Sequence, residues 1–503
     1  MAAGVAASGR PGSERSFFAF LVPNLAAVAA CVSLFYCLFL FQGYQKLFRD
    51  SDSGWHIRTG EVIVSTGALP RTDPYSFTRA GEPWFAWEWG ADVAMGLLHR
   101  TAGLAGVAML YAVAIAFGVW LWFRLHWAVG GDFLIAAAMA PLMLSTCNIH
   151  WLARPHVLSW LFLEAAVWFA VTVPSRPLLT AAVFTALWAN IHASFFFAPL
   201  IALIFAAGEA LRPLIWAGER GNPRRWFGIA VAAAAGSLLN PYGWHLHRHL
   251  FAYVTNSELL RRVGEFQSFD FHAEGATQII AAVMIAMLGA AAALARRQVA
   301  WFLVSLLLVA SGLRTARTLP IVALICLPLA NGAISGVLRE TRLRLPLHRF
   351  FAYSSNLRRL DARHGGLIWL PLLAAALFPL LPARAGFPAD QFPVAAAAQL
   401  EKLPPAARLL APDKFGGYLI YRFQGRIKVF FDGRSDLYGA AFLKDYGQLA
   451  QVRPGWREQV AAFGFTHALL PNGYSLVPAL EQAGWVRLYR DHTATLLARQ
   501  YGN

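Results

Sequence analysis

Charge is scarce in this 503-residue chain: only 14% of its residues are Asp, Glu, Lys or Arg, and 57% are apolar. A soluble protein carries roughly 25% charged residues, so too few groups are present to keep an ordinary surface wet. Cysteine is scarce too. All four (Cys31, Cys37, Cys147, Cys326) fall inside apolar runs, which excludes a disulfide framework and a metal knuckle and leaves them a packing role. There is no P-loop, no GxGxxG opening a βαβ unit and no GxSxG elbow, so nucleotide binding is unsupported. No solenoid repeat is present.

What is abundant is apolar sequence in long runs. "FFAFLVPNLAAVAACVSLFYCLFLF" (17–41) carries no charge and exceeds the ~20 residues a spanning helix needs. It follows Arg10 and Arg15 as a signal peptide would, but it is long for one and lacks a convincing cleavage site. It reads as an uncleaved signal anchor. Further apolar segments lie near 101–122, 133–148, 156–173, 178–190, 194–211, 227–240, 276–295, 299–313, 318–337 and 367–383, about eleven spans in all. With the N-terminus inside, the arginine-rich loops, above all 338–366, face the cytoplasm. That bias explains the net charge of +16 without nucleic acid. An odd number of spans leaves the C-terminal region outside.

The same orientation sends the unusual polar clusters to the outer face. They are "FRDSDSGWHIRTGE" (48–61), "PRTDPYSFTRAGEPWFAWEWGAD" (70–92), "NIHWLARPH" (148–156), "NIHAS" (190–194), "NPYGWHLHRH" (240–249), "EFQSFDFH" (265–272) and "RTART" (314–318). Chance would spread them over both faces, so the outer face is expected to carry the function. The first outer loop, 42–95, predicts two amphipathic helices, 53–65 and 84–99, whose aromatic faces suit the headgroup layer. They flank a turn-rich acidic stretch. From about 385 a Pro-punctuated linker leads into short β-rich runs alternating with helical stretches. Strands are expected at "ARLLAP", "IKVFFDG", "THALLP", "VRLYRD" and "TATLLAR", and helices near 439–450, 455–463 and 475–483. The expected fold class is an α-helical polytopic membrane domain over 1–384 with a small C-terminal α/β domain over 385–503 on the outer side.

Candidate chemistry starts with Asp50 and Asp52. A carboxylate at a membrane–water boundary can take a proton from an acceptor hydroxyl, or hold a divalent metal with a second acid, and partial dehydration raises its pKa toward a useful value. The second acid is Glu88, between Trp87 and Trp89, or Asp73. By helical periodicity His56, next to Trp55, shares a face with Arg49, Asp52 and Gly60, where it would orient Asp52 or contact a phosphate. Arg58, Arg154, Arg314 and Arg317 are the outer arginines, suited to bidentate phosphate binding. Arg314 and Arg317, three apart, are expected on one helix face. His156 and His192 lie in the same outer clusters. His245 and His249 are four apart on a helix, but no HExxH glutamate accompanies them, which weakens a zinc reading. Asp432, Arg434 and Asp436 of "FDGRSD" would bind an acceptor, close over the site or serve only as a structural cap.

These motifs resemble a group of bacterial membrane proteins in the GT-C glycosyltransferase superfamily, which includes protein mannosyltransferases and aminoarabinose transferases. The resemblance rests on the first loop, "ARPHVLSWLF", "WANIHASF", "NPYG" and "GGYLIYRF…VFFDGRSDLYG". It implies a GT-C-like fold and an inverting transfer of sugar from a polyprenyl-phosphate donor to a glycan, lipid or protein acceptor. The site would lie at the periplasmic face of the bacterial inner membrane, among membrane lipids. It implies Asp52 or Asp50 as base and Glu88 or Asp73 as partner, with Trp55, His56, Arg58, Arg154, His156, His192, Arg314 and Arg317 toward substrate. Relatives of this kind often carry His where Trp87 stands, and an indole cannot ligate a metal. A divalent cofactor, Mg or Mn, therefore stays open. Two other classes stand beside the transferase: a lipid-linked-sugar transporter, which would need mid-span charge, and a non-catalytic scaffold acting through residues 385–503.

Overall fold

The computed structural model describes residues 17–341, 345–382, 386–404 and 406–500. Arg10, Arg15, residues 342–344 of the arginine-rich stretch and residues 383–385 at the start of the linker lie outside them.

Each long apolar run forms helix. The first is interrupted at Pro23, which cannot donate to a continuing helix. It gives Phe17–Leu21 and Leu25–Phe39, and Asn24 caps the second by accepting from the Ala27 N–H. Proline begins Pro155–Thr172, Pro177–Ala189 and Pro223–Gly236, where its missing N–H leaves no bond unmade. Among the described residues five helices are long and apolar enough to cross a membrane: Trp89–Ala128, Pro155–Thr172, Ala193–Ile215, Ala276–Ala295 and Ala316–Glu340. Shorter apolar helices, among them Leu25–Phe39 and Val299–Arg314, occupy most of the remaining expected spans. Large apolar side chains such as Leu214, Leu239 and Leu288 are exposed, as a lipid-facing surface requires. The chain is a multi-pass membrane protein.

Both first-loop helices exist, with a change of surroundings. Asp52–Thr66 does not lie bare in the headgroup layer; Ser53, Trp55, His56, Ile57, Thr59 and Gly60 are all buried. Its amphipathic pattern is satisfied by protein on two sides. Gly60 meets Gly96 so closely that a Cβ on either would overlap the opposite backbone; a Cβ on Gly54 would overlap the Gly417 carbonyl, and one on Gly417 would overlap Ser51. The second helix starts at Trp89, later than expected, and runs to Gly103, whose φ of 61° breaks it before the span proper begins.

At the C-terminal end the sheet has the order β1-β2-β4-β3. Here β1 is Leu409–Leu410, β2 His467–Pro471, β3 Trp485–Arg490 and β4 Ala494–Arg499, with β1 parallel to β2 and the rest antiparallel. Four expected strands are there. "IKVFFDG" is not in the sheet: Val429 pairs instead with the first loop, its N–H donating to Tyr75 O while the Phe77 N–H donates to its carbonyl. The three expected helices form as Ser435–Ala450, Trp456–Phe463 and Leu476–Gln482. Asp413–Phe423, unforeseen as a helix, carries Gly417. One apolar core runs from the spans through Phe387, Phe392, Phe415 and Leu419, so this region is packed onto the helical body.

Candidate active site

Asp52 is the first residue of its helix, and its N–H donates to Asp50 Oδ1 at 2.9 Å. Arg154, immediately before the span Pro155–Thr172, reaches both acids: Nη1 lies 2.7 Å from Asp50 Oδ2 and Nη2 2.8 Å from Asp52 Oδ2. Nη1 also pairs with Glu265 Oε1, and the other Glu265 oxygen lies 3.2 Å from Arg317 Nη1. Burial pushes the Asp52 carboxyl up to about 8; Arg154 pulls it down, while Asp50 and Glu265 add to the rise. Glu265 is buried as well, yet Arg154 and Arg317 hold it well below the ordinary carboxylate range.

Glu88 heads a second network. Its Oε1 lies 3.1 Å from His192 Nε2 and its Oε2 3.4 Å from His56 Nε2, while His56 Nδ1 is 2.6 Å from Asp92 Oδ1. His192 Nδ1 accepts from the Ser194 N–H, so its Nε2–H donates to Glu88. Burial pushes Glu88 up to about 7. Burial, then Arg154 near His56 and Arg317 near His192, holds both imidazoles neutral, well below their usual range.

The two networks share a cavity of about 230 Å³. Its polar wall holds Asp52, Glu88, Arg154, His156, His192 and Arg317; Trp55, Trp84, Trp87, Trp160 and Trp188 surround them. One side is apolar, with Phe196, Phe197, Leu250, Val254 and Ile321. The roof is Gly433–Asp436 from the C-terminal region. Gly433 lies so near Asp52 that a Cβ there would overlap its carboxylate. Ser435 and Tyr253 share a hydroxyl hydrogen bond of 3.0 Å, and Asp436 Oδ2 is 3.1 Å from His249 Nε2.

Several expected residues stand elsewhere. Asp50 is bound to Arg154 but does not line the cavity. Asp73 is not beside it either: its Oδ1 accepts from Arg434 Nη2 at 2.8 Å and its Oδ2 from the Ser76 N–H at 3.0 Å. That buried pair ties the first loop to the C-terminal region. Arg58 donates from Nε to the Tyr421 carbonyl at 2.9 Å and pairs with Glu61, away from the cavity. Arg314 is exposed and ends its helix; the extended Thr315 turns the chain, so Arg314 and Arg317 do not share a helix face. His56 orients toward Asp92 and Glu88, not Asp52. His249 serves Asp436, and among the described residues no group of three or more His, Cys, Asp or Glu is arranged to hold a metal. Where three acids do converge, Arg154 takes their oxygens, so that donor set does not fit a divalent ion. Glu265 was missed as a candidate, although its cluster "EFQSFDFH" stood out in the sequence.

The fold is similar to that of the archaeal oligosaccharyltransferase AglB from Archaeoglobus fulgidus, solved in complex with an inhibitory peptide and a dolichol-phosphate. The TM-score is 0.55 at 12% identity, over 89% of this chain and 69% of that one. ArnT from Cupriavidus metallidurans, bound to undecaprenyl phosphate, is matched over 94% of this chain and 97% of that one, at 14% identity and a TM-score of 0.42. At such identity the likeness to AglB is one of fold. No family model and no curated protein matches the chain.

Proposed function

We propose that the protein is an inverting glycosyltransferase that moves a sugar from a polyprenyl-phosphate donor to an acceptor hydroxyl at the periplasmic face of the bacterial inner membrane. The observation that carries this reading is Asp52: a carboxyl with a pKa of about 8 facing a cavity, with the guanidinium of Arg317 in the same wall. AglB, similar in fold, was solved with a dolichol-phosphate, which supports the donor class. In this scheme Arg317 binds the lipid phosphate and the isoprenoid leaves along the apolar side through Phe196, Phe197 and Val254. The sugar stacks on the indoles.

Asp52 takes the proton of the acceptor hydroxyl. The oxygen then bonds to the anomeric carbon from the face opposite the phosphate, the carbon–phosphate oxygen bond breaks, and the lipid phosphate leaves with the electron pair. The anomeric configuration inverts. The Gly433 backbone closes on Asp52, so acceptor entry requires this roof to lift.

Base catalysis of this kind contributes on the order of 10²–10⁴ in rate. Asp52→Asn in nanodisks should bind donor but lose release of free polyprenyl phosphate by about that factor. Near-normal release by the variant would remove Asp52 from the role.

A further inference from the structure

Three carboxylates from two distant parts of the chain converge on one point, and a side chain already stands there. Asp50 and Asp52 come from the first loop, Glu265 from the turn Gly264–Phe266, and Arg154 contacts all three. The Arg154 side chain is only 12% exposed, and Arg317 holds the far oxygen of Glu265 at 3.2 Å. Three acids gathered on one positive charge are the company that a hard divalent cation keeps, but with the guanidinium in place no three His, Cys, Asp or Glu among the described residues are arranged to hold one. A guanidinium supplies positive charge at the same place, stays protonated at any accessible pH, and is out of reach of a chelator.

We infer that Arg154 replaces a divalent cation in this site. It is a positioning residue: it neutralises Asp50 and Glu265 and holds Asp52 at the cavity wall, so donor cleavage proceeds without added metal. Only that last clause rests on the proposed transferase reading; the occupancy of the acid cluster stands apart from it.

A sharp consequence follows from removing the guanidinium. Three carboxylates would then face a vacated centre with Arg317 as the remaining neighbour on Glu265, and their mutual repulsion would favour a cation. Arg154→Ala should therefore gain a metal site that the natural protein lacks. Arg154→Lys, which keeps a charge at the centre, should not.

The test is a Mn²⁺ titration of the full chain in nanodisks, followed by the electron paramagnetic resonance signal of free Mn²⁺. The natural protein and Arg154→Lys should take up no stoichiometric Mn²⁺. Arg154→Ala should bind one ion at least about tenfold more tightly than the natural protein, and lose it when Glu265→Gln is added. Stoichiometric binding by the natural protein that disappears in Glu265→Gln would overturn the inference, and this arm holds even if Arg154→Ala fails to fold. A folded Arg154→Ala that binds no Mn²⁺ would also overturn it. In parallel, donor cleavage by the natural protein should be unchanged by EDTA, and its loss there would overturn metal independence. Failure to cleave any donor would defeat the transferase reading, while the Mn²⁺ titration still decides the role of Arg154.

Discussion

Asp52 is a carboxylate placed where water is scarce and one guanidinium is close. Desolvation wins over Arg154 because Arg154 is shared with Asp50 and Glu265, and its pKa settles at about 8. A base must be ionised to act, so donor cleavage should rise about tenfold per pH unit below about 8 and level off above it. A rate flat through neutral pH in the natural protein would argue against Asp52 as the base. The sign for stability is opposite. A raised carboxylate pKa favours the folded protein while the group is protonated, so its contribution is full below the ordinary value of ~3.9 and is lost as pH climbs through about 8. Thermal melts should therefore fall more steeply between about pH 4 and pH 8 in the natural protein than in Asp52→Asn, which cannot ionise.

At the scale of elements, the helix Asp52–Thr66 decides the site because it carries Asp52, Trp55 and His56 on one rigid piece. Its position depends on two close backbone approaches, Gly60 to Gly96 and Gly54 to Gly417. A methyl group at Gly60 would collide with the Asp92 carbonyl, beside the side chain that His56 grips. Gly60→Ala should destabilise by roughly 1–3 kcal/mol or more, read as a lowered melting temperature, and should slow donor cleavage as the His56–Asp92–Glu88 network shifts. Gly473→Ala, where a Cβ meets nothing within 4 Å, should change stability by no more than about 0.5 kcal/mol. Equal effects at the two positions would show that the helix tolerates movement and that its close packing is incidental.

The whole molecule is held closed by a buried cluster that joins the first loop to the C-terminal region. Arg434 binds Asp73 at 2.8 Å and Asp432 at 2.7 Å, with the Tyr438 hydroxyl donating to Asp432. Removing one partner of such a cluster leaves buried charge behind, at a cost of about 3–5 kcal/mol. Arg434→Ala should lower the melting temperature and expose the segment after residue 386 to protease, with loss of activity following because the roof over Asp52 is gone. An unchanged melting temperature and cleavage pattern would show that the region is docked by its apolar core alone. Asp73→Asn sorts the two readings of that residue: as a structural partner it should lower stability, whereas as a catalytic acid it would stop turnover at an unchanged melting temperature.

Hydrophobic runs, proline and glycine breaks and period-two stretches are local properties, so the sequence by itself determined the apolar helices, the two first-loop helices and four strands of the terminal sheet. It also determined the cast of polar residues, because acids, arginines and tryptophans beside apolar runs are conspicuous wherever they fold. Partnership was decided only by the tertiary structure. Arg154 meets Asp50 across 104 residues and Arg434 meets Asp73 across 361, separations over which no periodicity carries information. Hence Asp73 was legible as a candidate second acid but not as Arg434's partner, and Arg314 was legible as an arginine beside an apolar run but not as one that stays out of the cavity lining. Glu265 became visible only when its oxygens were found between two guanidinium groups. An ion pair is made by distance in space, and that distance is set by the packing of helices such as Asp52–Thr66 against glycine backbones far along the chain.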